Sequence, residues 1–136
     1  TVRSFDPDVR PYLATRFPEL ITTTVAGLRG VADVSYSFGV PATVNDPAMA
    51  SIARKAAAAV VGDEQVVEPA PTMGGEDMSF FLEAAPGCFM FVGSRNEATH
   101  KIYGHHHPRF DIDEQALLIG AETLARTALT YLDTAG

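Results

Sequence analysis

The chain has 136 residues, of which 46% are hydrophobic and 20% charged, and its formal net charge is −7 at pH 7. This composition is typical of an ordinary globular domain and excludes the polar, highly charged class of chains that stay disordered. Because phosphate groups and anionic lipids are bound through clustered Lys and Arg, the acidic balance argues against nucleic acid and membrane surfaces as partners. Small molecules and other proteins remain as the expected partners.

The single cysteine, Cys88, cannot form an internal disulfide, and its apolar surroundings favour an inert buried thiol over a nucleophile. No apolar run reaches the roughly 18 residues that cross a bilayer, and no signal-peptide pattern opens the chain. We therefore expect a cytoplasmic protein. Residues 1–5 alternate in β-type fashion without an initiator Met, so we expect the chain to begin within a strand of a longer protein.

The first forty residues predict a strand, a helix and a second strand. The helix is expected over residues 7–28, because apolar residues recur three and four positions apart and Gly30 follows. Pro18 is expected to kink or split this helix, since proline removes a helical hydrogen bond. Residues 1–5 and 32–38 alternate between apolar and polar side chains, which indicates half-exposed strands.

A linker over residues 39–45 leads into a second helix. Asp46 is a favourable N-cap, Pro47 suits the first helical position, and Gly62 is expected to end the helix. Residues 65–67 are apolar and short, which predicts a brief strand.

The remaining segments predict a short helix, a buried strand and a final helix. Residues 69–75 have the composition of a loop, and residues 77–85 follow as the short helix. Residues 88–92 form an uninterrupted apolar run between glycines, which is typical of a central strand in an α/β sheet. Asp113 then caps a helix over residues 114–132, whose apolar residues form one face.

Three consecutive histidines, His105, His106 and His107, stand before Pro108 in a polar loop. A neutral imidazole is a common ligand for Zn, Mn, Ni or Co, and a neighbouring proline stiffens the backbone that carries it. A hydrolytic metal needs three or more protein ligands, and no other ligand cluster of convincing spacing occurs in the sequence. From the spacing alone, a solvated polar loop explains these histidines equally well.

A second candidate is the glycine pair Gly74 and Gly75, which precedes Glu76 and Asp77 at a predicted helix start. Exposed backbone N–H groups there would suit an anion, but two carboxylates would oppose one unless they point elsewhere or assist a metal. On this segment alone, acidic residues in a first helical turn are the simpler interpretation.

Taken in order, five segments resemble the C-terminal third of the metallopeptidase family that includes hippurate hydrolase, N-acyl-L-amino-acid amidohydrolase and the plant auxin-conjugate hydrolases. The segments are TVRSF at 1–5, PATVND at 41–46, MGGEDMSFF at 73–81, PGCF at 86–89 and HHPRF at 106–110. Each motif is weak by itself, but five in the same order cover nearly the entire chain.

The resemblance implies an α/β fold in two parts. Residues 1–40 would be the end of a ferredoxin-like α+β lid domain that serves dimerisation. Residues 41–136 would be the C-terminal part of a zinc-peptidase-like α/β catalytic domain. A homodimer, the remainder of the catalytic chain and an N-acyl amino acid or peptide-like substrate are the partners that this resemblance implies.

The resemblance assigns His106, two residues before Pro108, as a metal ligand in a site for two divalent ions, Zn, Mn, Ni or Co. Gly74, Gly75 and Glu76 match a loop that faces the substrate and the metal, which implies substrate binding or support of the metal ligands. The other ligands and the general-base glutamate of the family lie outside this segment, so we expect no catalytic residue within it.

The implied activity is hydrolysis of the amide bond of N-acyl amino acids or related conjugates, with the isolated chain inactive. The alternative is a non-catalytic scaffold or binding module that is derived from the same fold. In either case we expect exposed apolar surface at the flanks of residues 88–92, where a partner segment would pack.

Overall fold

The computed structural model describes residues 1–135, and their secondary structure is almost entirely helical. Four α-helices and one 3-10 turn follow one another along the chain: α1 at Val9–Gly27, α2 at Pro47–Val61, the turn at Asp63–Gln65, α3 at Met78–Ala84 and α4 at Gln115–Ala135. No helix in the described part of the chain is long and apolar enough to cross a membrane.

The four predicted helices are confirmed, with ends within three residues of those expected. Local signals explain the agreement for α2: the Asp46 carboxylate accepts a hydrogen bond from the Met49 N–H at 2.9 Å, and Pro47 occupies the first turn. Gly62 follows the helix with φ of 89°, a left-handed region where a side chain would be strained. The helix α1 is not split at Pro18.

The predicted strands are wrong for this chain, and so is the predicted sheet. Residues 1–5, 32–38, 65–67 and 88–92 lie outside any strand, and no strand occurs among residues 1–135. The physical reason is that a strand requires a neighbour to bond its backbone N–H and C=O groups, and no such neighbour is present for these segments within the described chain. The predicted alternation of exposed and less exposed side chains is observed in part of residues 32–38. Ala32, Val34 and Tyr36 are half-buried, and the residues between them are exposed.

A side chain replaces the missing strand neighbour beside residue 89. The Asn45 amide donates to the Phe89 carbonyl at 2.9 Å, and its oxygen accepts from the Phe89 N–H at 2.8 Å. The next residue, Asp46, donates its N–H to the Gly87 carbonyl at 2.9 Å. This pair of amide bonds resembles one rung of a β-ladder and holds the apolar run beside the start of α2.

The residues divide by their contacts into two compact units. The first unit consists of Thr1–Val44 and Ala70–Ala85, and the second of Asn45–Pro69 and the described part of Pro86–Gly136. The predicted boundary between a lid and a catalytic domain near residue 40 stays a prediction.

In the first unit, α1 is tied to the segment that follows it. Arg10 donates to the Gly39 carbonyl, and its guanidinium lies 5.2 Å from the centre of the Phe38 ring. Ser79 of α3 is fully buried and donates to the Glu76 carbonyl at 2.6 Å. Polar and cation–π contacts therefore stabilise this unit alongside apolar packing.

In the second unit, α2 packs against α4. The buried residues are small: Ala53 and Ala56 on α2, and Thr123 on α4. Small side chains let two helix backbones approach closely, so the contact is tight but buries little apolar area.

The cap of α2 gives a first test of these assignments. Replacing Asp46 with Ala removes the acceptor for the Met49 N–H, and we expect the free energy of unfolding to fall by about 1 kcal/mol. Asp46→Asn is the matched control, because asparagine caps a helix about as well and should cost only a few tenths of that. Equal stability of Asp46→Ala and the unmodified chain in denaturant titrations would show that this cap is not formed.

A clamped histidine loop as the candidate functional site

The three consecutive histidines lie in a loop that runs from Lys101 to Ile112, just before α4. We call residues 101–112 the histidine loop. All of the contacts described for this loop belong to the second compact unit.

The base of the histidine loop is fixed by hydrogen bonds around Asn96. Asn96 and Lys101 form an antiparallel bridge, with backbone bonds of 3.0 and 2.9 Å. The Asn96 amide donates to the Asp113 carboxylate at 2.6 Å, and the Asp113 N–H donates to the Ser94 carbonyl at 2.9 Å. The residues that precede the loop are therefore bonded directly to the residue that follows it.

Lys101 joins the two ends of the loop through its side chain. Its ammonium donates to the Ile112 carbonyl at 2.6 Å and to the Glu114 carboxylate at 2.8 Å, and it lies 3.6 Å from the Asp111 carboxylate. The Lys101 side chain is only 15% exposed. The hydrogen bond between the two groups raises the pKa of Lys101 and lowers the pKa of Glu114, so both stay charged at neutral pH.

Asp113 links the loop to α4. Its carboxylate accepts from the Gln115 N–H at 3.1 Å as well as from Asn96. The Asn96 hydrogen bond, and after it the Gln115 hydrogen bond, lower the pKa of Asp113 below its ordinary value. Asp113 therefore accepts a hydrogen bond from a backbone N–H at the start of α4 and another from the Asn96 side chain at the base of the loop.

The rings on either side of His106 are engaged with other side chains. His105 meets Phe110 edge-on, with 5.0 Å between the ring centres. His107 stacks on Tyr103 at 4.2 Å, and its Nδ1 accepts from the Arg109 N–H at 3.0 Å. These contacts hold His105 and His107 as structural members of the loop.

His106 differs from both neighbours. It is exposed, and in the described chain no hydrogen bond or ring contact engages its side chain. Its φ of 66° lies in the left-handed region, which costs a residue with a Cβ about 1–2 kcal/mol. Such conformations persist only where the surrounding structure enforces them, and they concentrate at functional sites.

An exposed imidazole such as that of His106 has the chemistry of a metal ligand, but one ligand does not make a metal site. Within residues 1–135, no group of three or more His, Cys, Asp or Glu side chains is arranged to hold a metal ion. A hydrolytic metal needs at least three protein ligands, so the described residues supply only part of a ligand set. The assignment of His106 as a ligand stays a prediction.

A pocket of about 320 Å³ lies beside the loop and is lined by Tyr103, His105 and Phe110 among others. Arg95, at its rim, is paired with Glu97 at 3.0 Å and also donates to the Ile102 carbonyl at 3.4 Å. Ser94, Ile102 and Asp111 also line the pocket, so it combines aromatic, aliphatic and charged groups.

The glycine pair lies in the first unit, at a close approach of two chain segments. A Cβ added at Gly75 would stand 3.2 Å from Val40, which it would crowd, and 3.5 Å from the Arg3 guanidinium, an ordinary contact distance. Arg3 donates to the Met73 carbonyl of the same loop. Glu76 is half-buried, and its carbonyl accepts from Ser79. The predicted roles of Gly74, Gly75 and Glu76 in substrate binding stay predictions.

Asn96, Lys101 and Tyr103 were not singled out from the sequence, although they determine the shape of the loop. The one local signal is Asn96, since asparagine favours turns in which its side chain bonds the backbone ahead. Its oxygen accepts from the N–H groups of Ala98 and Thr99, at 3.0 and 3.3 Å. The side-chain contacts of Lys101 are made with residues ten or more positions away, so they leave no local sequence pattern.

Comparison with known proteins finds a match to the sequence profile of peptidase family M20/M25/M40 over residues 8–130. The chain is 35% identical to the N-acetyl-L-cysteine deacetylase of Bacillus subtilis over 98% of its own length and 30% of that protein. It is 35% identical to thermostable carboxypeptidase 2 of Saccharolobus solfataricus, over 96% of the chain and 33% of the relative. The IAA-amino acid hydrolase ILR1-like 4 of Arabidopsis thaliana is 40% identical over 68% of the chain and 21% of that protein. The chain thus spans about a third or less of the length of these relatives.

The loop base predicts a loss of stability in acid. Because the pKa of Asp113 is lower in the folded chain than in the unfolded one, its contribution is fully present above its ordinary pKa and is lost as the pH falls below roughly 4. Asp113→Asn keeps hydrogen-bonding capacity but removes the charge. Between about pH 5 and pH 2, the range in which the carboxylate titrates, the free energy of unfolding of this variant should fall less than that of the unmodified chain. Asp33→Asn, at an exposed position without these bonds, is the control. If the free energy of unfolding falls as much in Asp113→Asn as in Asp33→Asn, the lowered pKa of Asp113 in the folded chain is contradicted.

The backbone at His106 predicts a preference among substitutions. Asparagine tolerates the left-handed region, whereas a β-branched residue does not. We expect the free energy of unfolding of His106→Val to be about 1–2 kcal/mol lower than that of His106→Asn. Because the position is exposed, the two side chains should differ mainly in how well they tolerate positive φ. Equal stability of the two variants would mean that residue 106 is not held at positive φ.

Proposed function

This chain belongs to peptidase family M20/M25/M40, and on that premise we propose that it is the C-terminal part of a metal-dependent amidohydrolase. The observation that carries the proposal is the state of His106, an exposed imidazole on a strained backbone between two engaged histidines. Arg29 and His100 are also exposed at positive φ, so the match to the family motif, together with the backbone conformation, distinguishes His106 as the proposed ligand position.

The proposed reaction is hydrolysis of the amide bond of N-acyl amino acids or related conjugates. The names of two relatives support this proposal. One is a deacetylase of N-acetyl-L-cysteine and the other is a hydrolase of IAA-amino acids. Both names describe an amino acid that carries an acyl group on nitrogen. The carboxypeptidase relative extends the class to peptide-like substrates.

The chain's own residues have limited tasks in this reaction. A ring nitrogen of His106 would bind a divalent metal ion, Zn, Mn, Ni or Co, of which the complete site would hold two. When bound, such an ion polarises the substrate carbonyl and lowers the pKa of an attacking water. The backbone N–H groups at Gly74 and Gly75 and the Glu76 carboxylate orient the substrate. The general base is supplied by residues outside this segment.

The complete enzyme is therefore longer than this chain and forms a homodimer in the cytoplasm. Two observations support a larger assembly: the incomplete ligand set, and the exposure of large apolar side chains. Phe91, at the flank of the predicted strand, is 64% exposed, and Leu117 and Leu124 of α4 are 60% and 64% exposed. Apolar surface of this extent is usually covered by further protein.

The metal proposal is tested in the complete enzyme with His106→Ala. Removing one of about four ligands should weaken the binding of Zn²⁺ by two orders of magnitude or more and abolish hydrolysis of N-acetyl amino acids. His100→Ala is the matched control, because His100 lies in the same polar segment but does not align with the family motif. Chelator treatment of the unmodified enzyme should also abolish hydrolysis, and metal should restore it.

If His106→Ala and the chelator both leave hydrolysis unchanged, the metallohydrolase proposal is wrong. A complete enzyme that binds N-acyl amino acids without hydrolysing them would instead favour the non-catalytic binding module.

A further inference from the structure

The positive φ of His106 carries a conformational cost, which contacts around the residue must offset. Contacts within the histidine loop offset part of that cost. His107 is held between Tyr103 and the Arg109 N–H, and His105 is held against Phe110. All of these residues lie in the loop itself, so they fix its internal shape but not its attachment to the rest of the unit.

The Lys101 side chain joins the two ends of the histidine loop and links the loop to Glu114 beyond it. Its ammonium reaches from the first residue of the loop to the Ile112 carbonyl and the Glu114 carboxylate at the other end, at 2.6 and 2.8 Å. Asp111 lies 3.6 Å away, so the three N–H donors of the ammonium face three acceptors. The Lys101 side chain is only 15% exposed, whereas the Asp111 and Glu114 side chains are 62% and 73% exposed, so solvent still screens the two ion pairs in part.

The other bonds between the two ends of the loop are those of Asn96 and the bond from the Asp113 N–H to the Ser94 carbonyl. Without the ammonium, the Ile112 carbonyl would lose its donor and the carboxylates of Asp111 and Glu114 would lose their shared cation. Losing these bonds between the two ends would let the loop open at its base. An open base would let the ring of His106 move.

We propose that Lys101 is a positioning residue for the metal-binding imidazole of His106, closing the histidine loop so that the ring is held in one place before the metal arrives. This inference rests on the proposed function, in which His106 is a metal ligand. Residues that orient metal ligands from behind typically change metal affinity by 10- to 100-fold when replaced.

The test uses the complete enzyme in four variants. Lys101→Met keeps the length of the side chain and removes its donors, and Lys101→Arg keeps the charge and the donors. Arg126→Met breaks a comparable ion pair, with Glu122 at 2.7 Å on α4, that is remote from the loop in sequence and belongs to the same unit. His106→Ala reports on the ligand itself.

Three quantities are measured for each variant: the dissociation constant for Zn²⁺ by chelator competition, the amide hydrogen exchange of residues 102–112 in metal-free enzyme, and kcat and KM separately. We expect Lys101→Met to weaken Zn²⁺ binding by about 10- to 100-fold, to speed exchange in the loop, and to lower kcat more than it raises KM. Lys101→Arg should recover most of the Zn²⁺ affinity, and Arg126→Met should leave all three quantities near those of the unmodified enzyme.

The outcomes separate this inference from the function on which it rests. If His106→Ala loses Zn²⁺ affinity while Lys101→Met retains it, the positioning role is wrong and the metal site stands. If neither variant changes Zn²⁺ affinity, the proposed function is wrong and the positioning role with it. An equal loss in Arg126→Met and Lys101→Met would assign the effect to general stability and also overturn the inference.

Should Lys101→Met fail to fold, Glu114→Gln replaces it, because this change removes one charged acceptor of the ammonium and leaves the lysine in place. A loss of Zn²⁺ affinity of about threefold or more, with faster exchange in residues 102–112, supports the inference, since an oriented ligand depends on its hydrogen-bonded neighbours. Unchanged affinity and exchange overturn it.

Discussion

A lysine ammonium that is bonded to both ends of one loop is the constraint on which the candidate site depends. Lys101 is nearly buried, and its bonds to Ile112 and Glu114 bring the start and the end of the histidine loop together. Closing a loop in this way limits the conformations that its middle can adopt. In our proposal this closure and the stacked ring of His107 help to hold the positive φ of His106.

The same arrangement explains why three adjacent histidines have different roles. Two of the rings, His105 and His107, contact aromatic side chains and so build the loop. The third, His106, is presented outward and is the one that the family motif aligns with a metal ligand. A single imidazole does not hold a hydrolytic metal, and the described residues contain no complete ligand set. In our proposal this loop prepares one ligand, and catalysis depends on the rest of the enzyme.

The helices could be predicted from the sequence and the strands could not, for one physical reason. The ends of α2 are determined locally, by the Asp46 cap and by Gly62 at positive φ. A strand depends on a neighbour, and the apolar run at 88–92 has its bonds made partly by the Asn45 side chain instead. The contacts of the loop follow the same rule, because the Lys101 side chain bonds residues ten or more positions away and gives no local signal, while the assignment of His106 as a ligand stays a prediction.

The central claim is that His106 is held ready to bind metal, and a structure of the complete enzyme with Zn²⁺ tests it most directly. Anomalous scattering at the zinc edge locates the ion independently of any assumption about its ligands. We predict a ring nitrogen of His106 within about 2.0–2.1 Å of the ion, with the Lys101 to Glu114 bond intact. A zinc ion bound at full occupancy with the His106 ring pointing into solvent would contradict the account.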